Sequence, residues 1–217
     1  MPVLQISRQP EALDWFTTPA GQSLLDAEWP LVRAAFAARP APQPWLWLAP
    51  VAGTERQVEP PPRSLVLQRR QDGYAGSLRC GLPLPLPNES IGNLIVQHVL
   101  QDGDDGLLEE CERVLVPGGR LWLFTLNVCS PYRARWQQAG LVVGGVSAWQ
   151  RRLRDLGLQP CAAELRHVGP VWRMTGRSHG PGLLRAACLL ESEKRTSALI
   201  PPAPVKRQWH PAGAAPA

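Results

Sequence analysis

Two apolar runs, Ile91–Val96 and Arg120–Thr125, flank a segment whose apolar residues recur at helical spacing, and this arrangement constrains the fold more than any other feature of the chain. Leu107, Leu108, Cys111, Val114 and Leu115 would line one face of an amphipathic helix. Pro117-Gly118-Gly119 would stop that helix and turn the chain into the next strand. A strand, a helix and a strand in this order describe a right-handed β-α-β unit, and so a parallel sheet.

The rest of the chain extends the pattern. Thr17-Thr18-Pro19 opens a helix, with a threonine cap and proline at the first helical position, where its missing N–H costs nothing. Leu24, Leu25, Leu31, Val32, Ala35 and Phe36 carry the helical stripe across residues 19–38, and Pro30 should kink or split it. Trp45–Ala49 and Ser64–Gln68 read as buried strands, and a weaker one is expected near Ala75–Arg79. Any helix between the second and third strands must fit within Arg69–Gly76. Ser147 is expected to cap a helix bearing Trp149, Leu153 and Leu156, ending at Gly157. Cys161–Arg166 and Leu183–Glu191 complete the strands. Alternating strands and helices mean α/β in a single sheet.

A chain of 217 residues with 44% hydrophobic content can bury one core. The expected organisation is a single domain over residues 1–200, with a helical segment at 1–40 and the core at 41–200, followed by a flexible Pro/Ala-rich tail at 201–217. Five cysteines spaced 18 to 32 residues apart, with no C-x-x-C, read as reduced, mostly buried thiols. The four histidines show no metal spacing. With no signal-peptide pattern and no apolar run of spanning length, a cytoplasmic protein without membrane insertion is expected. Residues 1–128 carry 10 basic and 14 acidic side chains, whereas residues 129–217 carry 13 and 4. The basic half could attract anionic ligands or simply be a solvated face; no interleaving of basic and aromatic residues points to nucleic acid.

Between Leu82 and Leu126 the chain resembles class I S-adenosylmethionine-dependent methyltransferases of the type-11 group. The residues that carry this are Leu84-Pro85-Leu86-Pro87-Asn88-Glu89-Ser90-Ile91, Asn93-Leu94-Ile95-Val96-Gln97-His98-Val99-Leu100 and Arg113-Val114-Leu115-Val116-Pro117-Gly118-Gly119-Arg120-Leu121. Trp15–Gln22, Leu126-Asn127 with Ser130-Pro131, and Arg152–Leu158 are similar to a small bacterial subgroup, which extends the match from about Trp15 to Lys194. The resemblance implies a Rossmann-like, seven-stranded sheet, mostly parallel, with a C-terminal antiparallel hairpin. It also implies S-adenosylmethionine as cofactor and transfer of its methyl group to a small-molecule acceptor. The alternative is a non-catalytic member of the same fold, a pseudoenzyme acting as a binding or partner subunit.

The cofactor motif is worn. The family's first strand ends in a glycine-rich turn, where this chain has Leu48-Ala49-Pro50-Val51-Ala52-Gly53. The second strand normally ends in an acidic residue that receives the ribose hydroxyls. Here Gln68, a weaker acceptor, stands there and is followed by Arg69 and Arg70. No acidic counterpart for the adenine amine occurs around Leu78–Leu82. The resemblance places the cofactor at Ala49, Gly53, Gln68 and Gln97, bound weakly or not at all.

His98 and Asn127 follow the fourth and fifth strands, on the edge where parallel sheets bind ligands. They are the candidate catalytic residues. His98 could orient an acceptor, take its proton, or cap the next helix. Asn127 could bind substrate or tie down the loop to Pro131. Asp102, Asp104 and Asp105 read as the acidic first turn of a helix. Trp136 and Trp149 flank the Gly140–Gly145 stretch, as a lid or as packing beneath a loop.

Overall fold

The computed structural model of the protein describes residues 12–38, 43–51, 58–70, 73–100, 105–161, 165–172 and 182–195. A 3₁₀ turn, Ala12–Thr17, leads into helix α1, Pro19–Ala38. The cap is as expected: the Thr18 hydroxyl accepts the Gly21 N–H at 3.2 Å and donates to the Trp15 carbonyl at 2.6 Å. Pro30 does not split the helix, which runs through it as one element. Burial of Leu24, Leu25, Trp29, Val32 and Phe36 on the sheet offsets the one backbone bond that proline removes.

Strands β1 (Trp45–Ala49), β2 (Ser64–Arg70), β3 (Gly73–Gly76) and β4 (Ile91–Gln97) precede helix α2 (Asp105–Val114) and the long strand β5 (Leu115–Leu126). The short helix α3 (Arg133–Trp136) and α4 (Val146–Asp155) follow, then β6 (Leu158–Pro160), β7 (Arg166–Val168) and β8 (Ala187–Lys194). The sheet order is β3-β2-β1-β4-β5-β8-β6, with β7 also paired to β8. β2, β1, β4 and β5 are parallel, and β8 returns antiparallel to β5, as expected. The sheet therefore has the mostly parallel, Rossmann-like architecture with an antiparallel end.

Several boundaries differ from the sequence expectation. β3 pairs antiparallel with β2, Arg70 opposite Gly73, so only Gln71 and Asp72 separate the paired positions and no helix intervenes. Of the described residues in the strand expected at Cys161–Arg166, only Arg166 lies in a strand: β6 ends at Pro160 and β7 begins at Arg166, and both pair with the outer edge of β8. The last strand starts at Ala187, because Gly182–Leu184 forms a 3₁₀ turn. Leu115 begins β5, and Pro117-Gly118-Gly119 lies within that strand, where pairing to β4 slips between Ile91 and Asn93. Ser147 lies inside α4, and Gly145 takes the cap position without a side-chain bond. The proposed tail, 201–217, lies outside the described residues.

Alternation along the strands divides the core into two layers. Trp45, Trp47, Ala49, Ile95, Trp122 and Phe124 face α1 and α3. Leu46, Leu48, Leu94, Val96, Leu121 and Leu123 face α2 and α4. The strand tryptophans Trp45, Trp47 and Trp122 are core: Trp45 stacks on Trp122 at 5.5 Å between ring centres, and Phe36 meets Trp45 edge-on at 4.9 Å. Trp136 and Trp149 are buried as well, one in each layer.

Candidate active site

The parallel strands bring their carboxyl ends to one edge. Ala49 pairs with Gln68, and Leu48 pairs with Val96, so Ala49, Gln68 and Gln97 stand in one line across that edge. Three of the four positions expected to hold the cofactor are thus brought together; Gly53 lies outside the described residues. Gln68 is buried, with its side-chain oxygen near Gly76 of the β3 hairpin.

The most ordered part of this edge was not foreseen as a unit. Glu28, in the middle of α1, is completely buried. Its Oε2 accepts a hydrogen bond from Gln97 Nε2 at 2.8 Å, and its Oε1 lies 2.8 Å from His98 Nε2. The Trp47 indole N–H, which can only donate, points at Gln97 Oε1 at 3.3 Å. That fixes the amide orientation and leaves the Gln97 NH₂ for the carboxylate. His98 itself takes a left-handed backbone conformation, φ 54°, and its N–H donates to the Phe124 carbonyl at 3.1 Å. Phe16 stacks on its ring, with centres 4.8 Å apart. His98 Nδ1 is buried and has no hydrogen-bond partner among the described residues.

Phe16 and Glu28 are held over the edge by contacts to the segment after β5. The Trp15 indole donates to the Arg135 carbonyl at 2.8 Å, and the Tyr132 hydroxyl donates to the Ala20 carbonyl at 3.0 Å. Burial raises the Tyr132 pKa, so the phenol stays a donor. Glu28 carried a readable signal: it falls in the apolar stripe of α1, four residues after Leu24 and four before Val32. A carboxylate at a position that must be buried needs partners.

Asn127 is engaged with the loop. Its amide donates to the carbonyls of Leu183 and Arg185, both at 2.8 Å, and its oxygen accepts the Cys129 N–H at 3.0 Å. Nearby Cys188 is buried and its thiol is pushed up to about 12 by desolvation, so it is no nucleophile. Asp102 and Asp104 lie outside the described residues, and among those described no group of metal-ligating side chains occurs.

Two cavities open at the carboxyl edge. One, of about 200 Å³, lies over the ends of β1 and β2 and is lined by Leu13, Asp14, Thr17, Pro50, Arg69 and Arg70. Its charged groups are two guanidiniums and one carboxylate, beside the Thr17 hydroxyl and the Gln22 amide. Those chemistries suit an amino-acid nucleoside, with donors for a carboxylate and an acceptor for an ammonium or hydroxyl groups. The second, about 10 Å³, is lined by His98, Leu100, Thr125, Leu126, Leu141 and Val143. A further cavity of about 170 Å³ between α4, β6 and β8 lies away from this edge.

No family model matches the chain, and no curated protein matches it. Solved structures do. An S-adenosylmethionine-dependent methyltransferase of Thermotoga maritima, described as a possible histamine N-methyltransferase, aligns with a TM-score of 0.56 at 13% identity, over 85% of this chain and 99% of that one. A chain from the complex between the Haloferax volcanii Trm112 methyltransferase activator and the putative methyltransferase aligns at 0.51 and 13%, over 86% and 98%. Geranyl diphosphate C-methyltransferase of Streptomyces coelicolor A3(2), solved with Mg²⁺, geranyl diphosphate and S-adenosyl-L-homocysteine, aligns at 0.50 and 14%, over 76% and 77%. This chain has the fold of the S-adenosylmethionine-dependent methyltransferases.

Proposed function

We propose that the protein is an S-adenosylmethionine-dependent methyltransferase acting on a small-molecule acceptor. The observation that carries this reading is the cavity of about 200 Å³ at the carboxyl ends of β1 and β2, in a sheet of the methyltransferase fold. In it Arg69 and Arg70 would receive the carboxylate of the cofactor and Asp14 its ammonium or ribose hydroxyls, with Ala49 and Gln68 forming the adjoining edge. Gln97, spent on Trp47 and Glu28, would support the site from beneath. The bound cofactor supplies an electrophilic methyl group. The protein's part is to hold that group and the acceptor in line, at the His98 end of the edge, where Asn127 fixes the neighbouring loop. No helix among the described residues is long and apolar enough to cross a membrane, and no nucleic-acid substrate is proposed. A protein partner is compatible with this reading, since the Haloferax neighbour comes from a complex with an activator.

Titration calorimetry with S-adenosylmethionine and S-adenosylhomocysteine tests it. The single uncharged Gln68 and the missing glycine-rich turn lead us to expect a Kd of about tens of micromolar or weaker. No heat of binding at about millimolar ligand overturns the reading.

A further inference from the structure

We propose that Glu28 and His98 form a dyad in which Glu28 is the positioning residue and His98 Nδ1 is the proton acceptor for a protic methyl acceptor. This rests on the methyltransferase reading and gives it a substrate class: a small, largely apolar molecule whose nucleophile bears a dissociable proton, as an O–H, N–H or S–H group.

The polarity of the hydrogen-bond chain carries the argument. Trp47 Nε1 can only donate, so Gln97 presents its oxygen to the indole and its NH₂ to Glu28. Glu28, with one oxygen accepting from that amide, meets His98 Nε2 with the other. A carboxylate accepting at both oxygens requires Nε2 to carry the proton. The lone pair of the neutral ring is then on Nδ1, the nitrogen that has no partner among the described residues. Phe16 on the ring face and the carboxylate at Nε2 leave the imidazole little freedom to turn. A buried nitrogen without a partner is costly, and a ligand that donates to it relieves that cost.

His98 also lines the small cavity with Thr125, Leu126, Leu141 and Val143. About 10 Å³ admits a reacting group the size of one water, and the walls beside it are apolar apart from the Thr125 hydroxyl. The body of the acceptor would rest against Val142, which is 58% exposed at the mouth of this cavity.

The step balances. Nδ1 takes the proton from the acceptor X–H, and the electron pair left on X forms the bond to the methyl carbon. The carbon–sulfur bond breaks with its pair going to sulfur, whose positive charge is neutralised, while His98 becomes imidazolium held by Glu28. Products are X–CH₃ and S-adenosylhomocysteine. An acceptor without such a proton gains nothing from this arrangement.

The test reads the ring nitrogens directly and needs no turnover. In ¹⁵N-histidine-labelled full-length protein at neutral pH, NMR should show His98 as a single neutral tautomer protonated at Nε2. An Nδ1-protonated tautomer, or an imidazolium under these conditions, overturns the dyad. In Glu28→Gln, whose amide can offer either an oxygen or an NH₂, the single tautomer should give way to a mixture; an unchanged single tautomer overturns the positioning role. Should that variant not fold, the wild-type tautomer alone still decides. Phenol added to wild type should shift the Nδ1 resonance, whereas anisole, which lacks the O–H, should not. Equal response to both, or none to phenol, overturns the substrate class. These readouts do not involve S-adenosylmethionine, so a failed cofactor titration and a failed dyad are separate results.

Discussion

The half of the sheet built by β4, α2 and β5 differs from the half built by β1, β2 and β3 in how completely it closes its carboxyl edge. All seven residues of β4 are buried, and the strand is paired on both sides. At its end, Glu28, Phe16 and the 141–143 segment close over His98 and leave about 10 Å³. In the other half β3 is a four-residue edge hairpin, and about 200 Å³ stands open over β1 and β2. The larger cavity is therefore over the ends of β1 and β2. The fixed, polar cluster is at the end of β4.

If this contrast is real, it should appear as a gradient of stability. Leu94→Ala removes a fully buried side chain from the central strand and should cost about 3 kcal/mol, read from denaturant unfolding. In native-state hydrogen exchange the amides of β4 and β5 should exchange only through global unfolding, and those of β3 through smaller local openings. Equal protection in β3 and β4 would break the comparison.

A smaller loss is expected at Asn127, which ties the loop after β5 to the start of β8. Asn127→Ala leaves the carbonyls of Leu183 and Arg185 and the N–H of Cys129 without their partner. A cost of about 1–3 kcal/mol follows, visible as a lower Tm. An unchanged Tm would mean that the packed half does not depend on this loop for its closure.

The two halves were also unequally legible in the sequence. Leu94–Val96 and Leu121–Phe124 are apolar without interruption because both faces of a central parallel strand are covered, and that pattern is local. The third strand, expected near Ala75–Arg79, lies at Gly73–Gly76 instead; Asp72-Gly73 is a turn signal, but room was kept there for a helix between the strands. The positions of Gln97 and His98 at the carboxyl end of β4 were legible, the first from the resemblance and the second from the order of the strands. Their partner Glu28 was not, since it lies 69 and 70 positions away and a glutamate on a helix ordinarily faces water. Its position in the apolar stripe was the available clue, but only the packing of α1 on the sheet shows what it meets. The cavity that Asp14 shares with Arg69 and Arg70 depends on how the first turn folds over the sheet, which no local pattern encodes.

The smallest expected effect concerns the segment that joins the two halves, from Leu84 to Asn88. Arg113, at the end of α2, donates to the carbonyls of Leu84 and Leu86 and to Asn88 Oδ1, while Glu110 accepts the Leu84 N–H at 2.8 Å. The hydrogen bond from Arg113 is the main cause holding the Glu110 carboxyl below its usual value of 4.5, and burial opposes it. A carboxyl whose pKa is depressed by folding stabilises the protein above its unfolded value and loses that contribution as pH falls through the folded one. Wild type should therefore be more stable than Glu110→Gln near neutral pH, by about 0.5 kcal/mol for a pair at this helical spacing. The gap should narrow below about pH 4.5 as the carboxylate is protonated. The same gap at every pH would mean that the carboxylate charge does not hold this joint, and that the backbone bonds from Arg113 alone connect the closed half to the open one.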